Sequence, residues 1–234
     1  YENMKTNRKT DSNTENTKKS DGKITLKKII GHFKTITRHR HTVIAHSRLA
    51  GILFQGLRHD LSKYSPTEFI PGARFYCGDR SPNEEERALY GYSAAWLHHK
   101  GRNRHHFEYW SDYNVKTKEF GPVPMPPKYI AEMFCDRVAA SKIYQGKKYT
   151  DKHPLEYFMR SKGRRPIDPN TSDTIEGLLR TLAEDGEDAA FAAVRKMLKE
   201  SKSARGLSYD GKRKRIYVQT QIYQRCGKRE LSLA

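Results

Sequence analysis

Nine of the ten histidines in this 234-residue chain fall into groups that could bind a metal ion. One group is His32, His39, His41 and His46, and another is His98, His99, His105 and His106. His59, followed at once by Asp60, lies between them. Neutral imidazole is a ligand for Fe, Mn, Zn, Co and Ni, and an aspartate adds an oxygen ligand. The pattern therefore predicts a site for one or two divalent transition-metal ions, whose identity the residue types do not distinguish.

Two aspartates fall at positions where the sequence predicts a buried helix face. Asp60 lies three residues after Leu57, and Asp136 lies between Met133 and Ala140. A buried carboxylate without a partner costs several kcal/mol, so each of them needs a cation. A metal ion would meet this need. For Asp136, a salt bridge to a neighbouring Lys or Arg is the alternative.

The upstream histidine ligand is most simply His39, with His32 as the second choice. If the chain turns near Gly51, His39 lies 12 residues before the turn and His59 lies 8 after it. At about 1.5 Å per residue these distances are about 18 and 12 Å, so the two side chains can meet where the segments cross. We expect the other histidines of this group, His41 and His46, to be surface or core residues.

The elements that must position these residues are predicted to be helices. Apolar residues recur at intervals of three and four, and Pro, Gly and capping residues mark the ends. The predicted helices cover residues 23–50, 53–63, 82–99, 128–145, 172–185 and 187–202. Residues 66–82 are predicted to be a loop with one helical turn, and 122–127 an extended connector rich in proline. The pattern predicts an all-α fold, with one possible strand at 216–222.

Composition divides the chain into four parts. Residues 1–22 are polar, and we expect a disordered tail without a signal peptide. Residues 23–160 would form a metal-binding helical domain, 161–202 a helical hairpin packed on or following it, and 203–234 a basic extension. No run approaches the roughly 18 apolar residues of a membrane helix, so no membrane partner is expected. Three widely spaced cysteines favour a reducing, cytoplasmic setting.

The spacing of the candidate ligands resembles the HD-domain superfamily of metal-dependent phosphohydrolases. The run His59-Asp60-Leu61-Ser62-Lys63 is similar to its His-Asp signature, and Asp136 resembles its closing aspartate. The runs 55–69, 91–110 and 129–142 are similar to a bacterial and phage family of HD-like domains of unknown function. The family pattern places its first histidine farther upstream than His39, which keeps His32 as an alternative. The resemblance covers residues 24–160 and implies an HD-domain-like helical bundle.

The resemblance also implies roles for particular residues. The run from His98 to His106 resembles segments that hold a second metal ion in two-metal HD proteins; a solvated basic loop is the alternative. The implied metal ligands are His39, His59, Asp60, His98, His99, His106 and Asp136. The implied catalytic residues are Asp60, Lys63 and Glu108. Substrate phosphate would contact Lys63, Lys100, Arg102 and Arg104.

The expected function is hydrolysis of a nucleotide or another small phosphate ester by a metal-dependent phosphohydrolase. A bound ion would activate water and polarise a phosphoryl oxygen. A di-iron oxygenase on the same fold is an alternative. A second alternative is a protein that binds nucleic acid without catalysis. Half of the net charge of +18 lies in residues 195–234, where tyrosines occur among the basic residues, and such segments can contact a nucleic-acid backbone and stack on bases. The oligomeric state is not predicted.

Overall fold

The protein is predominantly helical, as predicted. A computed structural model describes residues 22–207, with side chains up to residue 203. Its α-helices are α1 (Leu26–Leu49), α2 (Leu53–Gly56), α3 (Pro66–Arg74), α4 (Pro82–Tyr90), α5 (Ala94–Arg102), α6 (Pro127–Gln145), α7 (His153–Met159) and α8 (Pro169–Leu207). The strands β1 (Ser111–Asn114) and β2 (Glu119–Pro122) form an antiparallel hairpin, with Ser111 opposite Pro122. None of the helices between residues 22 and 207 combines the length and the apolar character needed to span a membrane.

Helix α6 lies at the centre of the core. Its buried apolar side chains include Phe134, which is fully buried and stacks edge-to-face on Phe191 of α8. Ile175 and Leu179 of α8 and Val43 of α1 belong to the same buried cluster. Burying a side chain of this size contributes about 2 to 3 kcal/mol. The core therefore fixes α6 against α1 and α8, and α6 carries Asp136.

Helix α1 turns a histidine-bearing face toward the core. His32, His39 and His46 are spaced by seven residues, or about two helical turns, and all three are buried. By contrast, Phe33 and Ile30 on the same helix are each more than two-fifths exposed. The periodicity therefore identified the helix correctly, but several of the apolar residues that carried the prediction face outward.

The segment around His59 and Asp60 differs from the predicted helix over 53–63. Helix α2 ends at Gly56, and a 3₁₀ turn covers Leu61–Tyr64. Between them, Asp60 has a φ of 53° in the left-handed region, which no continuous right-handed helix can contain. Gly56 lies against α1 so closely that a Cβ there would be 2.4 Å from the Cβ of Ser47. The prediction of one helix was wrong because this close crossing and the turn at Asp60 interrupt it.

Two other helix boundaries differ from the predictions. The stretch 66–82 was predicted to be mainly loop, yet Pro66–Arg74 is helical, with Pro66 in the first turn and Pro71 tolerated inside. The predicted helix over 82–99 begins at Pro82 as expected but ends at Gly91, which has a φ of 78°. Ser93 then accepts a hydrogen bond from the amide of Trp96 and caps α5. Proline positions alone did not distinguish a helix start from a loop.

The predicted break at Gly186 is confirmed. Gly186 has φ 83° and ψ −179° and separates two helical segments within α8. This backbone conformation is strained for residues with a Cβ, so glycine is required here. Residues 1–21 and most of the basic extension, including the predicted strand at 216–222, lie outside the described residues.

Candidate metal centre

Seven histidine and carboxylate side chains converge in two ligand sets that share Asp60. One set is His39, His59, Asp60 and Asp136, and the other is Asp60, His99, His105 and His106. Within each set, one ligand atom per residue lies within 4.8 Å of every other. They come from α1, α5, α6 and the turns that precede α3 and follow α5. Each set therefore gathers enough nitrogen and oxygen donors to hold a metal ion.

The first set lies between α1 and α6. Nε2 of His39 is 3.0 Å from Oδ1 of Asp136, and Nε2 of His59 is 3.5 Å from the same oxygen. Nε2 of His59 is also 3.2 Å from Oδ2 of Asp60. Two adjacent ligands that are each about 2.1 Å from one ion lie about 3 Å apart. The separations in the first set match that spacing.

The second set faces the other oxygen of Asp60. Oδ1 of Asp60 is 3.3 Å from Nε2 of His99 and 3.5 Å from Nε2 of His105. The ring nitrogen Nε2 of His106 lies 2.9 Å from that of His99. Asp60 thus presents Oδ2 to one set and Oδ1 to the other. This is the arrangement of a carboxylate that could bridge two ions.

Several donor atoms of this cluster are buried and lack a hydrogen-bond partner among the described residues. They are Nε2 of His39, His59 and His105, and Oδ1 of Asp60. Oδ2 of Asp60 lies 2.6 Å from the ammonium of Lys63. The unpartnered atoms face one another across about 3 to 4 Å, but they are not aligned for hydrogen bonds. Buried polar atoms normally have partners, because each unsatisfied one costs about 1 to 3 kcal/mol. A cation at the point where they converge would satisfy them together.

Two buried glutamates hold the ligand rings from behind. Oε1 of Glu132 is 3.0 Å from Nδ1 of His59 and 3.2 Å from Nδ1 of His105, one ring from each set. Oε2 of Glu68 is 2.7 Å from Nδ1 of His99. A carboxylate that accepts a hydrogen bond from Nδ1–H keeps the proton on Nδ1, so Nε2 is unprotonated and is directed inward. A third group with ligand spacing consists of Glu132, His59 and His105. Because Nε2 of both histidines faces Asp60, Glu132 contacts only their Nδ1 atoms.

The electrostatics of the cluster favour a positive charge at its centre. Burial opposes ionisation of Asp60 and Asp136, yet His59 and Lys63 hold the pKa of Asp60 well below its usual range, and His39 and His59 do the same for the pKa of Asp136. Burial likewise opposes a charge on His59, but Asp60 and the other carboxylates raise the pKa of this imidazole well above its usual range. Burial, His105 and His99 lower the pKa of His106, so its ring is neutral at pH 7. A proton or a metal ion can supply the positive charge.

Lys63 borders the same carboxylate from the solvent side. Its Nζ lies 2.6 Å from Oδ2 of Asp60, and 30% of its side chain is exposed. Burial opposes the charge on Lys63, but Asp60 and Asp136 outweigh burial and raise the pKa of its ammonium. Lys63 is therefore a fixed cation at the mouth of the cluster, in a position to contact an anion.

Most of the predicted metal ligands meet in these two sets, and one does not. His98 points to the rear of the cluster, where its Nδ1 is 2.6 Å from Oε1 of Glu68. It belongs to neither set, because adjacent residues on α5 diverge and only His99 faces Asp60. His105 belongs to the second set instead of His98, although it was not among the predicted ligands. His32 packs on Phe69 and also lies outside both sets, so the geometry favours His39 as the upstream ligand.

Three of the predicted substrate-binding residues lie away from the cluster's opening. Lys100, Arg102 and Arg104 do not line the cavity into which the cluster opens. Arg102 and Arg104 are exposed, and the guanidinium of Arg104 stacks on Tyr109. The prediction assumed that residues close to the histidines in sequence share their direction, but the chain beyond α5 turns them outward. Lys63 and Glu108 do line the cavity.

The cavity has a volume of about 730 Å³ and a cationic wall that the sequence analysis missed. Its floor includes His39, His99, His106 and Asp136. Six arginines line it: Arg80, Arg87, Arg137, Arg160, Arg164 and Arg165. They come from the loop before α4, α4, α6 and the connection after α7, so no local sequence pattern connects them. A cavity of this size accommodates a small-molecule ligand.

The fold and the cluster define an all-α protein with buried His, Asp and Glu side chains that could hold metal ions. Residues 28–181 match a protein family of unknown function, DUF5662, and the chain belongs to this family. The matched region contains every residue of both ligand sets. No curated protein and no solved structure matches the chain.

Proposed function

We propose that the protein is a metal-dependent phosphohydrolase with a two-ion centre, acting on a nucleotide or another small phosphate ester. The observation that carries the proposal is the position of Asp60, whose two oxygens face two separate sets of ligand atoms at the floor of a cavity lined by cations. The similarity of the His59-Asp60 run and Asp136 to the HD-domain superfamily supports the same activity.

The donor set suits divalent transition metals. Histidine nitrogens with carboxylate oxygens are ligands for Fe, Mn, Zn, Co and Ni, and several donors here are buried without other partners. When bound, such ions lower the pKa of water toward 7 and polarise phosphoryl oxygens. His39, His59 and Asp136 would hold one ion, the histidines of the second set would hold the other, and Asp60 would contact both.

The chain's own residues would bind and orient the phosphate. Lys63 lies at the mouth of the centre, where its ammonium can donate hydrogen bonds to phosphate oxygens as negative charge develops in the transition state. Glu108 lines the cavity, and its buried Oε2 has no hydrogen-bond partner among residues 22–203. We assign Glu108 the role of a proton acceptor for the attacking water or a donor to the leaving group.

The cationic wall favours phosphohydrolase activity over the di-iron oxygenase alternative. Oxygen chemistry would need the same ligand types, but it does not call for an arginine-lined cavity. Guanidinium groups bind phosphate through paired, charge-assisted hydrogen bonds. A protein purified without air that contains iron and consumes oxygen, with no phosphate release, would reverse this preference.

The proposal is tested by assaying phosphate release from monoesters, diesters and nucleotides after loading with Mn, Fe, Zn, Co or Ni. We expect metal-dependent hydrolysis of at least one class, which EDTA abolishes. Asp60→Asn should lose at least about 10²-fold in kcat, because it removes a shared ligand. The matched control is Asp173→Asn, an exposed aspartate on α8. Absence of hydrolysis with every metal, or full activity of Asp60→Asn, would refute the proposal.

A further inference from the structure

One wall of the cavity is formed by arginines that the metal centre does not use. Arg137 follows Asp136 on α6, Arg160 follows α7, and Arg164 and Arg165 lie in the connection to α8. These four side chains line one cavity although Arg137 and Arg160 are 23 residues apart in the sequence. The fold therefore builds a cationic surface within the same cavity as the candidate metal centre.

These arginines lack acidic partners. No carboxylate among residues 22–203 forms a salt bridge with Arg137, Arg160, Arg164 or Arg165, although Lys162 of the same connection pairs with Glu176. Arg80, which lines the same cavity, differs, since its Nε lies 2.7 Å from Oε1 of Glu85. No ion pair within the described residues therefore neutralises the charge on this wall.

The positions of two of the guanidinium groups leave hydrogen-bond donors available. Arg137 lies over the ring of Phe158 at 5.4 Å, and Arg165 lies over that of Tyr157 at 5.7 Å. Packing of a guanidinium face on a ring holds it in place while its N–H groups stay at the edge. Nε of Arg137 is buried and has no hydrogen-bond partner within the described part of the chain. This one donor of Arg137 is held in place without an acceptor, whereas another NH group of Arg137 lies 3.9 Å from Sδ of Met133, and Arg164 donates to the backbone carbonyl of Arg160.

Like charges brought together in this way oppose folding unless an anion joins them. The acidic side chains close enough to offset the charge of Arg137 are Asp136 and Glu108. Asp136 already belongs to the first ligand set. A phosphoryl group carries up to two negative charges and accepts several hydrogen bonds from N–H donors. It therefore balances four guanidinium groups better than a single carboxylate would.

We propose that Arg137, Arg160, Arg164 and Arg165 form a second anion subsite, which binds a phosphoryl group of the substrate other than the one at the metal centre. This inference deepens the proposed function and rests on it for the identity of the first subsite. The substrate is then a small molecule with at least two phosphoryl groups. The phosphoryl group that is hydrolysed would lie at Lys63 and the metal centre, and the arginine wall would contact the other.

The subsite is tested first by binding of inorganic phosphate, which needs no turnover. Phosphate is titrated calorimetrically into the full chain, with EDTA present to remove metal ions, and binding should be observed. Arg165→Gln should weaken phosphate binding about tenfold or more, as expected for loss of a charge-assisted hydrogen bond. Arg137→Lys keeps the charge but loses the planar fork, and it should weaken binding less. The control Arg48→Gln, exposed on α1 and outside the cavity, should bind as the unaltered chain does. No binding, or binding that Arg165→Gln leaves unchanged, overturns the subsite.

A second measurement links the subsite to catalysis. With added Mn²⁺, kcat/KM for adenosine 3′,5′-bisphosphate should exceed that for adenosine 5′-monophosphate about tenfold or more, mainly through KM. Arg165→Gln should bring the two values together, and circular dichroism should show that this variant is folded. Equal values in the unaltered chain would contradict the second phosphoryl group. If neither nucleotide nor any other ester is hydrolysed, the proposed function fails, while phosphate titration still decides the subsite.

Discussion

Nε2 of His59 and Oδ2 of Asp60 lie 3.2 Å apart, although consecutive residues of a regular helix diverge by about 100°. The left-handed backbone of Asp60, with φ 53°, removes this divergence. It breaks the helix between α2 and the 3₁₀ turn, and it leaves Oδ1 facing His99. Aspartate is one of the few residues with a Cβ that adopts this conformation readily. The backbone at Asp60 therefore determines that one carboxylate serves both ligand sets.

The two ligand sets should lose their ions separately. His39→Gln removes a donor from the first set, and His106→Gln removes one from the second. Each variant should retain about one ion per chain under conditions that saturate the unaltered protein, because the other set keeps all its donors. Native mass spectrometry measures the stoichiometry directly. Loss of both ions from either variant would show that the sets do not bind independently.

Glu132 should control metal affinity without contacting the ion. It accepts hydrogen bonds from His59 and His105, so Glu132→Gln replaces a charged acceptor with a neutral one for both rings. We expect metal affinity to fall about 10- to 100-fold, as for other residues that orient ligand histidines. The control is Glu119→Gln, which alters an exposed glutamate in β2. Competition with a chelator of known affinity measures both variants, and equal affinities would contradict the role of Glu132.

Much of the centre was accessible from the sequence because its residues follow a recognisable order. His39, His59, Asp60 and Asp136 were selected from spacing and family resemblance, and the structure brings them together. Glu132 was missed, although a glutamate four residues before Asp136 lies on the same helix face. His105 was not selected because the directions of neighbouring histidines after α5 depend on how the chain turns.

The cationic wall could not be predicted from local patterns. Lys100 and Arg102 were selected because they lie near histidines in sequence, whereas Arg137 and Arg165 reach the cavity through packing of α6 and α7. The all-α class followed from periodicity, since buried helix faces repeat every three to four residues. The left-handed turn at Asp60 had no such signal, because its neighbours are consistent with a continuous helix.

Removal of the Lys63 ammonium should affect turnover more than metal content. Lys63→Met takes a cation from the cavity but no ligand from either set. We expect kcat to fall about 10²- to 10³-fold, the effect of losing one group that stabilises developing negative charge, with two ions still bound. Lys147→Met, an exposed lysine after α6, is the matched control. A change in KM alone would show that Lys63 binds substrate without acting in the transition state.

The interactions of Glu132 should also make stability depend on pH in the acid range. Burial opposes its ionisation, but hydrogen bonds from His105 and His59 lower the pKa of Glu132 from 4.5 to about 2. A carboxyl with a lowered pKa stabilises the fold fully above pH 4.5 and loses that contribution as the pH falls toward 2. Acid unfolding followed by circular dichroism should therefore begin at a higher pH in Glu132→Gln. Identical acid transitions would contradict this contribution.

The most direct test of the two-ion centre is metal stoichiometry in the unaltered chain and in Asp60→Asn. After saturation with Mn²⁺ and removal of excess metal, elemental analysis should give two ions per chain for the unaltered protein. Asp60→Asn should retain less than one, because asparagine keeps the left-handed backbone but cannot bridge two cations. No bound metal in the unaltered chain, or two ions in Asp60→Asn, would contradict the assignment of Asp60 as the shared ligand.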